Sequence, residues 1–244
     1  PHSFAPGTRW SYCNSGYILL GAIIEKVSGK SYRDFLDEHM CSPLGMMHTC
    51  YEPIPGRVIP GMVSGYTKTP DAYLHAEYFS TSHFFAAGGL VSTADDLARF
   101  CTALCTGNLL NAETLRRMWT PTRLPDGAST HYGCGWWVST CQERPVMEHY
   151  GIRPGYANQL LVLPDDNILV IVLSNDDGNL NQTEHLAVEL AAGGVAVEVV
   201  APVHHVGRTA DVLEDRPRQV TAAGVADVHL LLGRRVGRLR TAQA

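Results

Sequence analysis

The chain has 244 residues, 45% hydrophobic and 18% charged, with 19 basic against 24 acidic side chains for a net charge of −5. This composition excludes fibrous, coiled-coil and wholly disordered chains, and the length is enough to build a core without disulfides or metals. A negative balance with only three lysines (Lys26, Lys30, Lys68) argues against a nucleic-acid partner, and the longest apolar runs, 168–173 and 160–163, fall far short of the ~20 residues of a membrane span.

The opening, Pro1-His2-Ser3-Phe4, has no initiator Met, basic n-region or apolar h-region, so the chain is read as starting inside a longer gene. Tyr17, Leu20, Ile23, Ile24 and Val27 follow i, i+3, i+4 spacing, which predicts a helix with one buried face over 16–27, ended by Ser28-Gly29. A second helix is expected over 32–39, before the turn Pro43-Leu44-Gly45. Ser92-Thr93-Ala94-Asp95 opens a third, because a Ser or Thr cap satisfies free N–H groups of the first turn, and Leu97, Phe100 and Leu104 share one of its faces. A fourth covers 111–119 and stops at Pro121.

Beyond Tyr132 the period changes to two. Strands are expected over 133–139, 146–150, 157–163 and 168–174, with Pro164-Asp165-Asp166-Asn167 turning between the last two, and a closing helix over 183–192. Helices, then an antiparallel meander, then a helix indicate an α+β fold. Residues 193–244 differ in character: they contain no Phe, Tyr, Trp, Cys, Met or Lys, and carry seven Arg against five acidic residues. Without aromatic anchors this tail is expected to be poorly ordered, giving a domain over 1–192 and an atypical extension over 193–244. Its His204-His205 pair has no third ligand at a useful spacing. The seven cysteines (Cys13, Cys41, Cys50, Cys101, Cys105, Cys134, Cys141) form no Cys-x-x-Cys or zinc pattern and are read mostly as small buried hydrophobes; no metal and no cofactor is expected.

Three short constellations carry chemistry. Tyr12-Cys13-Asn14 places a phenol and a carboxamide two residues apart on a loop, able to move a proton and to orient a polar substrate. His149-Tyr150-Gly151, at the end of a strand and followed by Ile152, sets a hydrogen-bonding ring beside a position with no side chain, where a substrate can lie against backbone. Gly88-Gly89 precedes the capped third helix. Each alone is compatible with a purely structural role.

Their order is specific. Phe4-x-Pro6-Gly7, Tyr12-x-Asn14-x-Gly16-Tyr17, Ser28-Gly29, Pro43-Leu44-Gly45-Met46 with Thr49, Gly88-Gly89-Leu90-x-Ser92-Thr93-Ala94-Asp95-Asp96-Leu97 and His149-x-Gly151 resemble the serine β-lactamase family, in its class C β-lactamase, DD-peptidase and esterase branch, over about residues 4–190. The resemblance implies a β-lactamase/transpeptidase-like α+β fold, an antiparallel sheet packed with helices beside a helical region. It implies hydrolysis of an ester or amide through an acyl-serine. Tyr12 matches the proton-shuttling tyrosine, and Asn14 the amide that holds the substrate and the lysine. His149 matches the strand's basic residue, Gly151 and Tyr150 line the substrate, and the Ile152 N–H matches an oxyanion donor. A His at 149 leans towards esterase or peptidase members.

The departure is the nucleophile. The residues three before Lys26, Lys30 and Lys68 are Ile23, Val27 and Gly65, so the sequence contains no Ser-x-x-Lys. That motif lies upstream of Tyr-x-Asn in the family, and the chain is read as lacking its N-terminal strands and nucleophile helix and as inactive alone. The substrate class is a small ester, a β-lactam or a peptidoglycan-like molecule. The alternatives are a non-catalytic ligand-binding or interaction protein and a functionless gene fragment. Without N-terminal strands the 168–174 strand is expected to be an open edge prone to self-association, unless 195–199 folds back over it.

Overall fold

The computed structural model describes residues 3–192, 197–201 and 229–232. In chain order the elements are α1 (Asn14–Ser28), α2 (Tyr32–Leu36), a π-helical turn (Asp37–Cys41), α3 (Ser42–Leu44), β1 (Cys50–Tyr51), β2 (Tyr66–Lys68), β3 (Tyr73–His75), β4 (Leu90–Val91), α4 (Ala94–Cys105) and α5 (Ala112–Met118). There follow β5 (Trp137–Cys141), β6 (Arg144–Arg153), β7 (Tyr156–Leu163), β8 (Ile168–Ser174), α6 (Leu180–Ala192), β9 (Val197–Ala201) and β10 (His229–Leu232). The chain divides into two compact units, one from Pro1–Gly61 and Ser80–Ser139, the other from Met62–Phe79 and Thr140 onward.

In the first unit α1 is where its spacing puts it, and Gly29 ends it in the left-handed conformation (φ 70°), its N–H donating to Glu25 O. Its packed face is not the expected one. Leu20, Ile23 and Val27 are exposed, Val27 at 82%, whereas Gly21 is buried. A Cβ at Gly21 would stand 2.5 Å from Ala86 Cβ and 2.6 Å from the Phe85 ring. Apolar on more than one side, the helix packs where the missing side chain lets its backbone come closest to the 3₁₀ turn Phe85–Ala87.

The expected second helix is broken into α2, a π turn and α3. Ser31 caps α2, accepting from Asp34 N and donating to the Asp34 carboxylate. Pro43 has no N–H to continue the α-helical ladder, and the wider π turn accommodates the change of register.

Thr93 caps α4, accepting from Asp96 N at 3.3 Å. The Asp96 carboxylate, 2% exposed, accepts from His48 N and from Thr49 Oγ1, both at 2.8 Å, and Thr49 Oγ1 lies 2.7 Å from Ser92 Oγ. Two motifs noted separately in the sequence, Pro43 to Thr49 and Ser92 to Asp96, are thus one buried hydrogen-bonded joint. The Gly88-Gly89 pair is structural: a Cβ at Gly89 would meet Phe85 O at 2.6 Å and Thr81 O at 2.7 Å. β1 and β4 pair beside it, each too short for its period to show in sequence.

The six-stranded sheet has the order β10-β9-β8-β7-β6-β5; its strands β6 to β10 and the β2-β3 hairpin belong to the second unit, and the division between units falls within β5, after Ser139. β6, β7 and β8 are antiparallel neighbours, as the alternation implied. Val146, Leu161, Leu163, Ile168, Val170 and Val172 form the core on one face, packed with Ala187 and Ala191 of α6.

Two strand bounds differ from expectation. Residues 133–136 are a turn, because Gly133 donates to Trp136 O, Gly135 takes φ 81°, and Cys134 donates to Met118 O, so β5 begins only at Trp137. β6 extends to Arg153, which places His149 inside a strand rather than at its end. Gln142 and Glu143, both with positive φ, make the tight turn between β5 and β6.

The edge expected to be open is paired. β9 adds to β8 in parallel, Val197 opposite Val170, and β10 adds antiparallel to β9. The His204-His205 pair and most of 193–244 lie outside the described residues. All seven cysteines are free thiols; Cys41 and Cys101 are buried, and Cys13 and Cys134 are exposed.

Candidate active site

Tyr12 and Asn14 belong to the first unit and His149, Tyr150, Gly151 and Ile152 to the second. Tyr12 lies in the loop before α1 and Asn14 is the first residue of that helix, on an exposed turn whose cap position, Cys13, makes no side-chain capping bond. The Tyr12 ring is 42% exposed. It stacks on Trp137 (centroids 6.4 Å apart, planes at 14°) and meets Tyr132 edge-on (5.9 Å, 84°). Trp10 completes the group, 5.5 Å from Tyr132 and 5.4 Å from Trp137. Such offset and edge-to-face pairs hold a ring in one orientation. Tyr132 is buried, and desolvation, then its hydrogen bond with Tyr17, push its phenol far above the usual tyrosine range, so it stays neutral. Sequence reading found Tyr12 but missed Trp10, Tyr132 and Trp137; the Trp10-x-Tyr12 alternation was the one local signal.

β6 has ten residues and β5 five, so β6 outruns its partner strand and its far half carries the predicted site residues. Alternation puts His149, Gly151 and Arg153 on the face opposite the α6 core, where they stand across from Leu160, Asn158 and Tyr156 of β7. Tyr150 and Ile152 fall on the other face and are exposed. The Tyr150 side chain starts from the face opposite Gly151, yet its ring comes within 5.9 Å, centroid to centroid, of the His149 ring. The Tyr150 carbonyl also reaches it: the His149 Nδ1 lies 2.6 Å from Tyr150 O, which sets the Nδ1–H tautomer in the neutral ring.

Gly151 is exposed extended backbone, and a Cβ there would meet no atom of the described residues within 4 Å. Neither backbone strain nor packing requires glycine at this position, which leaves open space over the strand. Gly151→Ala is expected to change the unfolding free energy by less than about 0.5 kcal/mol, as read by urea denaturation; a loss above 1 kcal/mol would show a packing role instead.

Burial holds the His149 imidazole below the usual histidine range, with the Tyr150 carbonyl and Glu148 opposing the shift. The folded chain therefore binds this proton less readily than the unfolded chain. The resulting stability is fully present above about pH 6.5, the unfolded value, and is lost as pH falls through the lower folded value. The fall in urea midpoint between pH 7.5 and pH 5.5 is expected to be smaller in His149→Gln than in the parent chain. An unchanged fall would remove His149 as its source.

The turn at the end of β6 is pinned. Gly155 (φ 82°) donates to Asp177 Oδ2, which also accepts from Thr67 Oγ1 of β2. A Cβ at Gly65 would stand 2.8 Å from Gly155 Cα, so the two backbones approach closely only because both are glycine. Among the described residues no three His, Cys, Asp or Glu side chains gather into a group able to hold a metal.

A mixed helical and antiparallel-sheet chain with a loop phenol packed in aromatic rings and an open strand bearing His-x-Gly belongs to the β-lactamase/transpeptidase-like fold class. The chain belongs to the Beta-lactamase family, whose model matches residues 1–193. It is 30% identical to penicillin-binding protein 4* of Bacillus subtilis (strain 168) over 188 residues, 71% of this chain and 41% of that protein. It is 28% identical to a D-aminopeptidase of Brucella ovis over 191 residues, 78% of this chain and 36% of that protein. A D-stereospecific amidohydrolase from Streptomyces sp. superposes with a TM-score of 0.62 at 25% identity, covering 75% of this chain and 56% of that one. The chain thus spans about two fifths of the length of these curated relatives. The family is one of serine hydrolases of the β-lactamase, DD-peptidase and D-amino acid amidase type.

Proposed function

We propose that this chain carries the substrate-holding and proton-transfer part of a serine hydrolase site acting on an ester or amide, peptide-like substrate through an acyl-serine. The observation that carries the reading is the open β6 stretch, where His149 and Gly151 share a face and no described residue occupies the space over Gly151. An acyl group laid along this strand would direct its carbonyl oxygen to the Ile152 N–H. Tyr12 would take the proton of an attacking serine and return it to the leaving group, while the Asn14 amide holds the substrate's polar backbone. The names of the relatives, a D-aminopeptidase and a D-stereospecific amidohydrolase, favour an amide substrate.

The chain contains no Ser-x-x-Lys, and losing a nucleophile lowers the rate by on the order of 10⁶. By itself it is read as binding substrate without acylating. The same absence favours a second reading, a non-catalytic ligand-binding protein that uses the same strand. Self-association through the sheet would use β10, its terminal strand, rather than β8.

Fluorescent penicillin and fluorophosphonate labelling, read by intact mass, tests the proposal. The chain alone is expected to remain unlabelled and to hydrolyse neither nitrocefin nor p-nitrophenyl acetate above a heat-treated control. The chain extended ahead of Pro1 by a homologous Ser-x-x-Lys segment is expected to take up one label. Stoichiometric acylation of a serine in the unextended chain would sink the first expectation, and an unlabelled, folded extended chain the reading as a hydrolase site.

A further inference from the structure

Five of the seven thiols are shielded. Cys41 and Cys101 are buried and Cys50, Cys105 and Cys141 half-buried. Burial pushes the Cys41 and Cys105 thiols up to about 11 and raises Cys101 as well, so these three stay protonated and slow to react. Cys13 and Cys134 are exposed, and both belong to the first unit, on segments that pack against one another. Cys13 stands between Tyr12 and the start of α1; Tyr17 follows at i+4, where a helical side chain leans back towards the N-terminus and so towards Cys13. Cys134 stands in the 133–136 turn between Tyr132 and Gly135. Tyr12 meets the Tyr132 ring at 5.9 Å, and the Tyr17 hydroxyl would lie 3.4 Å from a Cβ at Gly135. Contacts thus bracket both cysteines. Burial, the Tyr17 hydrogen bond and the nearby Tyr12 and Cys134 groups all raise the Tyr132 phenol, so the Cys134 thiol shares the surroundings of that phenol with the residues on either side of Cys13. Cys13 makes no side-chain capping bond, so its thiol gives up no cap in turning towards Cys134.

We propose that Cys13 and Cys134 are a modification site for low-molecular-weight disulfides such as oxidised glutathione, closing into a reversible intrachain disulfide. One protein thiolate attacks a sulfur of glutathione disulfide, forming a mixed disulfide and releasing one glutathione thiolate. The second protein thiolate attacks the protein sulfur of that bond, closing the bridge and releasing the other glutathione. The chain gives up two protons and two electrons, and one glutathione disulfide becomes two glutathione thiols. Bridging holds the two Cα atoms about 4.4–6.8 Å apart, which fastens the loop bearing Tyr12 to the turn beside it.

The test holds the folded chain at micromolar concentration in mixtures of reduced and oxidised glutathione, then alkylates it and reads intact mass and tryptic peptides. Oxidising mixtures are expected to leave a monomer two hydrogens lighter, with the Cys13 and Cys134 peptides joined, and dithiothreitol to reverse this. Cys141 falls in the same tryptic peptide as Cys134, so Cys141→Ser should keep the link, whereas Cys134→Ser should abolish it and leave Cys13 carrying glutathione. Circular dichroism confirms that each variant is folded. The urea midpoint of the bridged chain should exceed that of the reduced chain, because closing a long loop restricts the unfolded state. Separate glutathione adducts on Cys13 and Cys134 without a link, a link formed only between two chains, a link that survives Cys134→Ser, or a midpoint that does not rise on bridging would overturn the proposal.

Discussion

In a chain extended ahead of Pro1 by a homologous segment bearing Ser-x-x-Lys, Tyr12→Phe is expected to lower the acylation rate by roughly 10²- to 10⁴-fold, the range of a lost general acid–base group. The aromatic surroundings make this a clean substitution. A phenylalanine ring keeps the stack on Trp137 and the edge contact with Tyr132, so the loop should hold its conformation while only the phenol oxygen is removed. Tryptophan fluorescence from Trp10 and Trp137 should stay unchanged and serves as the check on packing. His149→Ala should behave differently: in the proposed role its contact is with bound substrate as well as in the transition state, so KM should rise at least as much as kcat falls. Single-turnover acylation with p-nitrophenyl acetate measures both. An active extended chain whose rate is indifferent to Tyr12→Phe would reduce the Tyr-x-Asn match to a structural one.

Asp96→Ala is expected to destabilise the chain by about 3 kcal/mol. Its carboxylate is the acceptor for His48 N–H and the Thr49 hydroxyl at a position almost without solvent, and each buried donor left unpaired costs about 1–3 kcal/mol. The joint ties the start of α4 to the segment after α3, so the loss should appear as a lower urea midpoint. The adjacent Asp95 is exposed and contributes only its charge near the helix N-terminus; Asp95→Ala should cost less than about 1 kcal/mol. Equal effects at the two positions would show that Asp96 acts through helix charge alone and not through the buried joint.

Features set by neighbours in the chain were legible in the sequence. The Thr93 cap spans three residues, the 157–163 and 168–174 strands announce themselves by alternation around a Pro-Asp-Asp-Asn turn, and α1 by its spacing, because each depends on local backbone geometry. The motif order was enough to identify the family and Tyr12, Asn14, His149 and Gly151 as its candidate residues. Which side of α1 would be buried was not legible, since the helix is apolar on several sides and close approach at Gly21 decides the matter. Nor was the acceptor role of Asp96, whose partner Thr49 is 47 residues away. The rings that hold Tyr12 come from Tyr132 and Trp137, remote positions that no period connects to it. No sequence signal set Cys13 and Cys134 apart from the other cysteines; their exposure and the packing of their segments arise only from the fold. Local preferences act over a few residues and could be read in the sequence; the orientation, burial and partners of side chains are decided by surfaces that meet only when the chain has folded.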